Sequence, residues 1–132
     1  MSNAVVDLIV ARDQGACARC GTPVSHLTRG IAWSVHHRRA RGMGGSRDAW
    51  INEPANGVVL CGSGTTGCHG DIEKHRDVAY DTGWLIRRGI QTAESIPLVH
   101  AIHGYVYLDN MGGYERLTTT EGGGPDPMVQ SR

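Results

Sequence analysis

Four cysteines in two pairs are the first residues whose spacing suggests chemistry. Cys17 and Cys20 are separated by two residues, and Cys61 and Cys68 by six. Four thiolates can hold one zinc ion tetrahedrally when two turns bring such pairs together. The Gly, Ser and Thr residues of the longer spacer would let it fold back. We therefore predict a structural zinc site; the alternatives are two unrelated buried pairs, or disulfides in an oxidised protein.

Histidines form the second group. His36 and His37 are adjacent, and His69 directly follows Cys68. A zinc ion that holds Cys68 would keep His69 beside the strand that carries the pair. Because neighbouring strand residues point to opposite sides, one member of the pair can face a metal while the other faces a substrate. Three other histidines are interpreted as surface or satisfied core residues: His26, His100 and His103.

Short predicted elements position these side chains. Apolar residues at helical spacing predict a helix at about 4–13, and alternating apolar residues predict a strand at 31–37 that ends in the histidine pair. A second strand is predicted at 57–61 and a helix at roughly 69–81. The predicted order is therefore strand, long loop, strand, helix.

The length and composition allow one modest hydrophobic core, since the chain has 132 residues of which 39% are hydrophobic. We predict one principal domain at 1–89. A C-terminal extension at 90–119 would contain a strand pair turned at 109–113. The Gly- and Pro-rich segment 120–132 is predicted to be a disordered tail.

The net charge does not indicate a class of partner, because the sequence has 13 basic and 13 acidic residues. All but one of the basic residues are arginines, whose planar guanidinium suits phosphate. No apolar run approaches the roughly 18 residues that a membrane span needs, and the N-terminal segment lacks a basic leader. We predict a cytoplasmic protein with no membrane association, in which lasting disulfides are not expected.

Three stretches occur in a recognisable order: HHRRARGMGG from residue 36, NEPANGVVLC from residue 52, and CHG at 68–70. With the CxxC knuckle, they resemble the His-Asn-His (HNH) endonuclease motif in the zinc-stabilised form common among bacteriophage proteins. The resemblance covers about residues 5–88. It implies the small ββα-metal (His-Me finger) fold in its zinc-stabilised form. Together with the patterns above, we predict an α+β protein of this fold with a structural zinc held by four cysteines, an N-terminal helix and a C-terminal strand pair. The segment 1–89 would then be the HNH nuclease domain.

The resemblance implies a metal-dependent endonuclease that hydrolyses phosphodiester bonds of double-stranded DNA, by nicking or by double-strand cleavage. A phage-encoded enzyme of this kind would work in the host bacterial cytoplasm, and related small nucleases act beside terminase subunits during genome packaging. The alternatives are a non-catalytic zinc-ribbon module that binds DNA or protein, and an adaptor on another phage protein. The joint presence of His37, Asn56 and His69 favours the enzyme, because a binding module needs none of them.

The resemblance also implies residue roles. His37 would be the general base that takes a proton from water, and Asn56 would orient His37 or its loop. His36 and His69 would bind the catalytic divalent cation, which could be Mg²⁺, Mn²⁺ or Ni²⁺. Many relatives carry another histidine where this sequence has Glu73, and a carboxylate there could be the third ligand.

His75 is the competing candidate for the third ligand. Helical geometry favours Glu73, because position i+4 shares a face with His69 while i+6 points away. Beyond the histidine pair, three arginines are predicted to bind backbone phosphates without reading sequence, or else to form a solvated face. These arginines are Arg38, Arg39 and Arg41. With no recognition helix or added reading module, we expect weak sequence preference.

Overall fold

The computed structural model describes residues 1–40, 49–89 and 91–117. Helices and strands are both present, as the α+β prediction requires. They are α1 (Asn3–Arg12), β1 (Trp33–His37), β2 (Gly57–Cys61), α2 (Gly67–Lys74), α3 (Arg76–Thr82), β3 (Leu98–His100), β4 (Gly104–Leu108) and β5 (Tyr114–Arg116). Short 3-10 turns lie at Ala49–Asn52, Pro54–Asn56 and Ala93–Ser95. Within the described ranges, no helix has both the length and the apolar character needed to cross a bilayer.

The predicted N-terminal helix is confirmed as α1. The Ser2 hydroxyl accepts a hydrogen bond from the Val5 amide at 3.3 Å and so caps the first turn. Ile9 is completely buried on the inner face of the helix. It packs in one small cluster with Val24, Trp33 and Val59, which joins α1 to both strands of the first sheet.

The two predicted strands that carry the site are also confirmed. β1 and β2 pair antiparallel, with Trp33 opposite Cys61 and His37 opposite Gly57. Side chains alternate across β2: Val59 joins the α1 cluster, whereas Val58 and Leu60 enter the main core. Burial on both faces explains the continuous apolar run of this short strand.

The single helix predicted at 69–81 is wrong, because the chain bends at His75. There α2 ends and α3 begins, and the His75 backbone (φ −120°, ψ 59°) leaves the helical region. The His75 amide still donates to the Asp71 carbonyl at 2.9 Å, and its carbonyl accepts from the Ala79 amide at 3.1 Å. The predicted stop near Gly83 is confirmed, since Gly83 adopts the left-handed conformation (φ 85°) that favours glycine.

The C-terminal extension forms a three-stranded antiparallel sheet in the order β3-β4-β5, where two strands were predicted. The turn predicted at 109–113 joins β4 to β5, and Asp109 Oδ1 accepts from the Met111 and Gly113 amides. The additional strand β3 has only three residues, too few for a periodic signal. Buried side chains of this sheet share the main core with those of β2 and α2: Leu98, Val106, Leu108, Val58, Leu60 and Ile72. The tail predicted to be disordered lies outside the described residues.

A buried charge cluster fastens α1 to the C-terminal sheet. Asp13 Oδ1 accepts from Arg12 Nε and from His100 Nε2, both at 2.8 Å. Asp13 Oδ2 accepts from the Val59 amide at 2.9 Å. Burial acts to raise the pKa of Asp13, but the His100 hydrogen bond and the Arg12 charge outweigh it, so the pKa is lowered.

The three histidines interpreted as structural behave as predicted. His100 is buried and accepts hydrogen bonds at Nδ1 from the Ile102 and His103 amides, while Nε2 contacts Asp13. His103 is buried and contacts the Arg12 carbonyl through Nε2 at 2.6 Å. His26 is exposed.

Candidate functional site

The four cysteines come together. Their Sγ atoms all lie within 4.8 Å of one another, and the Cys20 and Cys61 sulfurs are 3.8 Å apart. Tetrahedral zinc with bonds of about 2.3 Å separates its sulfur ligands by about 3.8 Å. All four residues are free thiols. The group can therefore hold a structural metal such as zinc, and the interpretation as two unrelated pairs is wrong.

Tight turns bring the cysteines into this arrangement. The Gly21 amide donates to the Cys17 carbonyl and the Cys17 amide to the Thr22 carbonyl, both at 2.8 Å, which closes the knuckle after α1. The spacer between Cys61 and Cys68 folds back as predicted. Gly62 makes this fold possible, because it has φ 85° and a side chain there would collide with the Thr66 carbonyl.

Neighbouring groups adjust the thiols. Burial raises the pKa of Cys17 and of Cys68. For Cys20 burial also acts to raise the pKa, but hydrogen bonding with Thr22 and the other thiols lowers it to about 6. Arg19 lies beside Cys68 and forms a 2.6 Å ion pair with Asp71, so a cation stands next to the thiolates that a metal would bind.

His36 and His37 point to opposite sides of β1, as the strand alternation predicted. His36 is 4% exposed, whereas His37 is half-buried. The Nε2 of His36 lies 2.8 Å from the Trp84 carbonyl oxygen, which only accepts, so Nε2 carries the proton and Nδ1 is the unprotonated nitrogen. Burial lowers the pKa of His36 to about 3, which keeps the ring neutral.

His69 lies beside His36, so the two histidines predicted to bind a catalytic metal are neighbours. Their ring centroids are 5.1 Å apart with an interplanar angle of 62°. His69 is in the first turn of α2, and its Nδ1 is 2.7 Å from the Ser34 hydroxyl. Burial lowers the pKa of His69, partly offset by the charge of Glu73. Ser34 lies two residues before His36 and so on the same face of β1, which strand alternation alone could have predicted.

The third metal ligand stays a prediction. Glu73 is one helical turn beyond His69, but its carboxylate accepts from Arg76 Nη1 at 2.8 and 3.1 Å. His75 is exposed at the helix junction, with Nε2 3.6 Å from the Asp71 carboxylate. Among the residues that the structure describes, no carboxylate or third imidazole joins His36 and His69 in a group as close as the four cysteines.

Asn52 contacts the predicted general base. Its Oδ1 lies 3.1 Å from His37 Nε2. Because an amide oxygen only accepts, Nε2 carries the proton and Nδ1 becomes the basic nitrogen of the neutral ring. No spacing rule marked Asn52, which lies 15 residues further along the chain at the end of a short 3-10 turn.

Asn56 holds the loop that follows the histidine pair. It is completely buried, and its Oδ1 accepts from the Arg39 amide at 2.8 Å. Its Nδ2 donates to the Ile51 carbonyl at 2.8 Å and to the Arg39 carbonyl at 3.2 Å. Of the two roles predicted for Asn56, the described contacts correspond to orienting the loop. The buried Asn56 side chain thus bonds to the backbone at both ends of the loop.

The prediction that Arg38 binds phosphate is wrong. Its side chain is completely buried, and the guanidinium donates to four backbone carbonyls, those of Gly83, Ala55, Ala93 and Ile96. Burial, with the charge of Arg12, lowers the pKa of Arg38 to about 9. Arg39 is 6% exposed and lies 5.5 Å over the Trp50 ring, so little of it remains for a ligand. Arg41 lies outside the described residues.

Comparisons with protein-family models, with curated proteins and with solved structures each found no match. The functional argument therefore depends on the geometry of these residues.

Proposed function

We propose that this chain is a metal-dependent DNA endonuclease of the HNH class with the small ββα-metal fold. The observation that carries the proposal is the divergence of two adjacent histidines at the end of β1. His36 turns inward against His69 of α2, and His37 turns toward the surface. The pair β1–β2 and the following helix α2 thus hold the neutral imidazoles of His36 and His69 together, with His37 next to His36 in the chain.

His37 would act as the general base. With the proton of its neutral ring on Nε2 facing Asn52, the basic Nδ1 takes a proton from the attacking water. Asn56 keeps the following loop attached at Arg39 and Ile51. The proposed role of His37 is proton transfer, so His37→Ala should leave the fold intact.

The pair of His36 and His69 fits a divalent cation such as Mg²⁺, Mn²⁺ or Ni²⁺, because His36 is neutral and its Nδ1 is unprotonated. A cation bound there supplies charge stabilisation for the scissile phosphate and the departing 3′ oxygen. The chain's own contribution is to fix both rings, His36 through the Trp84 carbonyl and His69 through Ser34.

The substrate proposed is double-stranded DNA, nicked or cut through both strands, in a phage-infected bacterial cytoplasm and beside terminase subunits. The second candidate is a non-catalytic zinc-ribbon module that binds DNA or protein. It is favoured by one observation: the four-cysteine group is closed, while the described part of the chain offers no third ligand to His36 and His69.

A plasmid-cleavage assay separates the two. Supercoiled DNA is incubated with the zinc-loaded protein and Mg²⁺, Mn²⁺, Ni²⁺ or additional Zn²⁺. We expect cleavage by the wild type and a loss of about 100-fold or more in His37→Ala, the scale of general-base catalysis. His26→Ala, which changes an exposed histidine outside the site, is the matched control. Cleavage by His37→Ala at the wild-type rate would refute the assignment, and no cleavage by any protein would favour the binding module.

A further inference from the structure

Exposed arginines surround one tyrosine on a surface that the predicted DNA contacts did not include. Arg76, Arg87 and Arg88 are all exposed. The Arg87 guanidinium carbon is 4.1 Å from the centroid of the Tyr80 ring, and that of Arg76 is 5.6 Å away. Arg76 Nη2 also donates to the Tyr80 hydroxyl at 3.0 Å. The ring is thus contacted by two guanidinium groups, which restrains long side chains that would otherwise be mobile.

This surface adjoins the candidate site through the backbone. The Trp84 carbonyl contacts His36, and the Ile86 amide donates to the Arg38 carbonyl at 2.9 Å. The segment 84–86 therefore runs beside the end of β1, and Arg87 and Arg88 follow it directly. A small open pocket of about 130 Å³ lies between this segment, α3 and the chain after His37, with Arg39, Arg76, Tyr80 and Arg88 among its lining residues.

The net charge of this surface is positive. Glu73 neutralises Arg76 through its ion pair. The other acids nearby, Asp77 and Asp81, follow Arg76 and Tyr80 by one position each and so lie about 100° further round α3. Arg87 and Arg88 then supply two positive charges beside the pocket.

We propose that this surface, formed by Arg76, Tyr80, Arg87 and Arg88, binds the phosphate backbone of duplex DNA. The inference deepens the proposed nuclease function and rests on it for the choice of substrate. Guanidinium groups form two parallel hydrogen bonds with a phosphate. Arg76 already donates to Glu73 and to the Tyr80 hydroxyl, so the phosphate contacts are assigned to the exposed Arg87 and Arg88. The surface takes the role predicted for Arg38, whose guanidinium is bonded inside the core. Such contacts position the duplex without reading its sequence.

Binding is tested by fluorescence anisotropy with a labelled duplex of about 20 bp, between about 50 and 200 mM salt. The full zinc-loaded chain is used with no other divalent cation added, so that binding is measured without cleavage. Arg87→Ala/Arg88→Ala should weaken binding about tenfold and reduce the salt slope by about 2, one unit for each lost phosphate contact. Arg87→Lys/Arg88→Lys keeps the charge and should retain most of the slope. Arg29→Ala is the control, an exposed arginine before the opposite end of β1.

The outcomes separate this inference from the proposed function. Wild-type affinity and slope in Arg87→Ala/Arg88→Ala, or an equal loss in Arg29→Ala, would overturn the surface whether or not the protein cleaves DNA. No duplex binding by the wild type would overturn it too. If the double variant loses binding as expected but no protein cleaves plasmid, the surface stands and the nuclease proposal fails.

Discussion

At the scale of single residues, an amide side chain contacts the ring of the proposed general base, His37. Asn52 is exposed and its Oδ1 accepts from His37 Nε2 at 3.1 Å, so its contribution is to the tautomer and orientation of the ring and not to the core. Loss of such a partner lowers activity because the wrong nitrogen can then carry the proton.

Asn52→Ala should therefore lower the cleavage rate about tenfold or more while leaving unfolding unchanged. In Asn52→Asp a carboxylate would still accept from Nε2, so more activity should remain. The added negative charge favours the imidazolium and raises the pKa of His37, so the acidic limb of the pH–rate profile should move to higher pH. Identical pH profiles for Asn52→Asp and the wild type would contradict this role.

The third metal ligand is also a question of single residues. Removing a ligand raises the metal concentration for half-maximal cleavage, so Glu73→Gln should raise it and His75→Ala should change it little. If Glu73 is the third ligand, two imidazoles and one carboxylate would form a mixed site, at which we expect Mn²⁺ to support cleavage at least as well as Mg²⁺. Metal titrations in which His75→Ala is the damaged variant would reassign the ligand to His75.

At the scale of elements, the buried Asn56 side chain helps to hold the loop after β1. Asn56 occupies a buried position between the ends of the segment that separates β1 from β2, and it makes three hydrogen bonds to the backbone there. A buried backbone group without a partner costs about 1–3 kcal/mol. The two ends of this loop are therefore held by tertiary hydrogen bonds and not by local propensity.

Asn56→Ala should lower the free energy of unfolding by about 2–3 kcal/mol and reduce cleavage through loss of loop order. Chemical denaturation of the zinc-loaded protein measures the first effect. Asn52→Ala is the matched control, because it removes an exposed amide from the same region. Equal stability of the two variants would show that the loop does not depend on Asn56.

At the scale of the whole molecule, two groups of side chains, the four cysteines and the Asp13 cluster, connect parts of the fold that are distant in the chain. The cysteine group links the knuckle after α1 to β2 and α2. The Asp13 cluster links the end of α1 to β2 and β3 through Val59 and His100. A chain of this size buries limited apolar surface, so such cross-links matter for its stability.

Cys20→Ser should abolish tight zinc binding and unfold the protein, because a metal held by the four cysteines would link segments distant in the chain. Elemental analysis of protein purified under reducing conditions should find one zinc per chain in the wild type. Thr22→Ala, which removes only the hydroxyl beside Cys20, should keep the metal. Wild type that is folded without zinc would contradict the structural site.

Asp13→Asn should destabilise the folded state, because it leaves Arg12 a buried charge without its carboxylate. The native pKa of Asp13 is lowered, so its stabilising effect is present above its unfolded-state pKa of about 3.9 and is lost as pH falls through the lower native value. Unfolding measured from neutral to acidic pH should show a smaller decline for Asp13→Asn than for wild type at that acidic end. Parallel declines for both proteins would show that other groups determine the acid sensitivity.

Local patterns in the sequence predicted the short elements and the residues that meet at the candidate site. Strand periodicity separated His36 from His37, and the cysteine spacing predicted one four-thiol group. These inferences succeeded because side-chain direction along a strand and the closure of a short turn depend on neighbouring residues.

Only the tertiary structure decided the roles of Arg38, Asn52 and Asn56. The carbonyls that bind the Arg38 guanidinium lie 17 to 58 residues away in the chain, so its sequence context of histidines and arginines could not reveal its burial. The break at His75 and the three-residue strand β3 likewise left no periodic signal. Burial and hydrogen-bond partners are properties of the packed chain. For this reason one arginine, Arg38, is buried and bonds to backbone carbonyls, whereas another, Arg87, is an exposed cation.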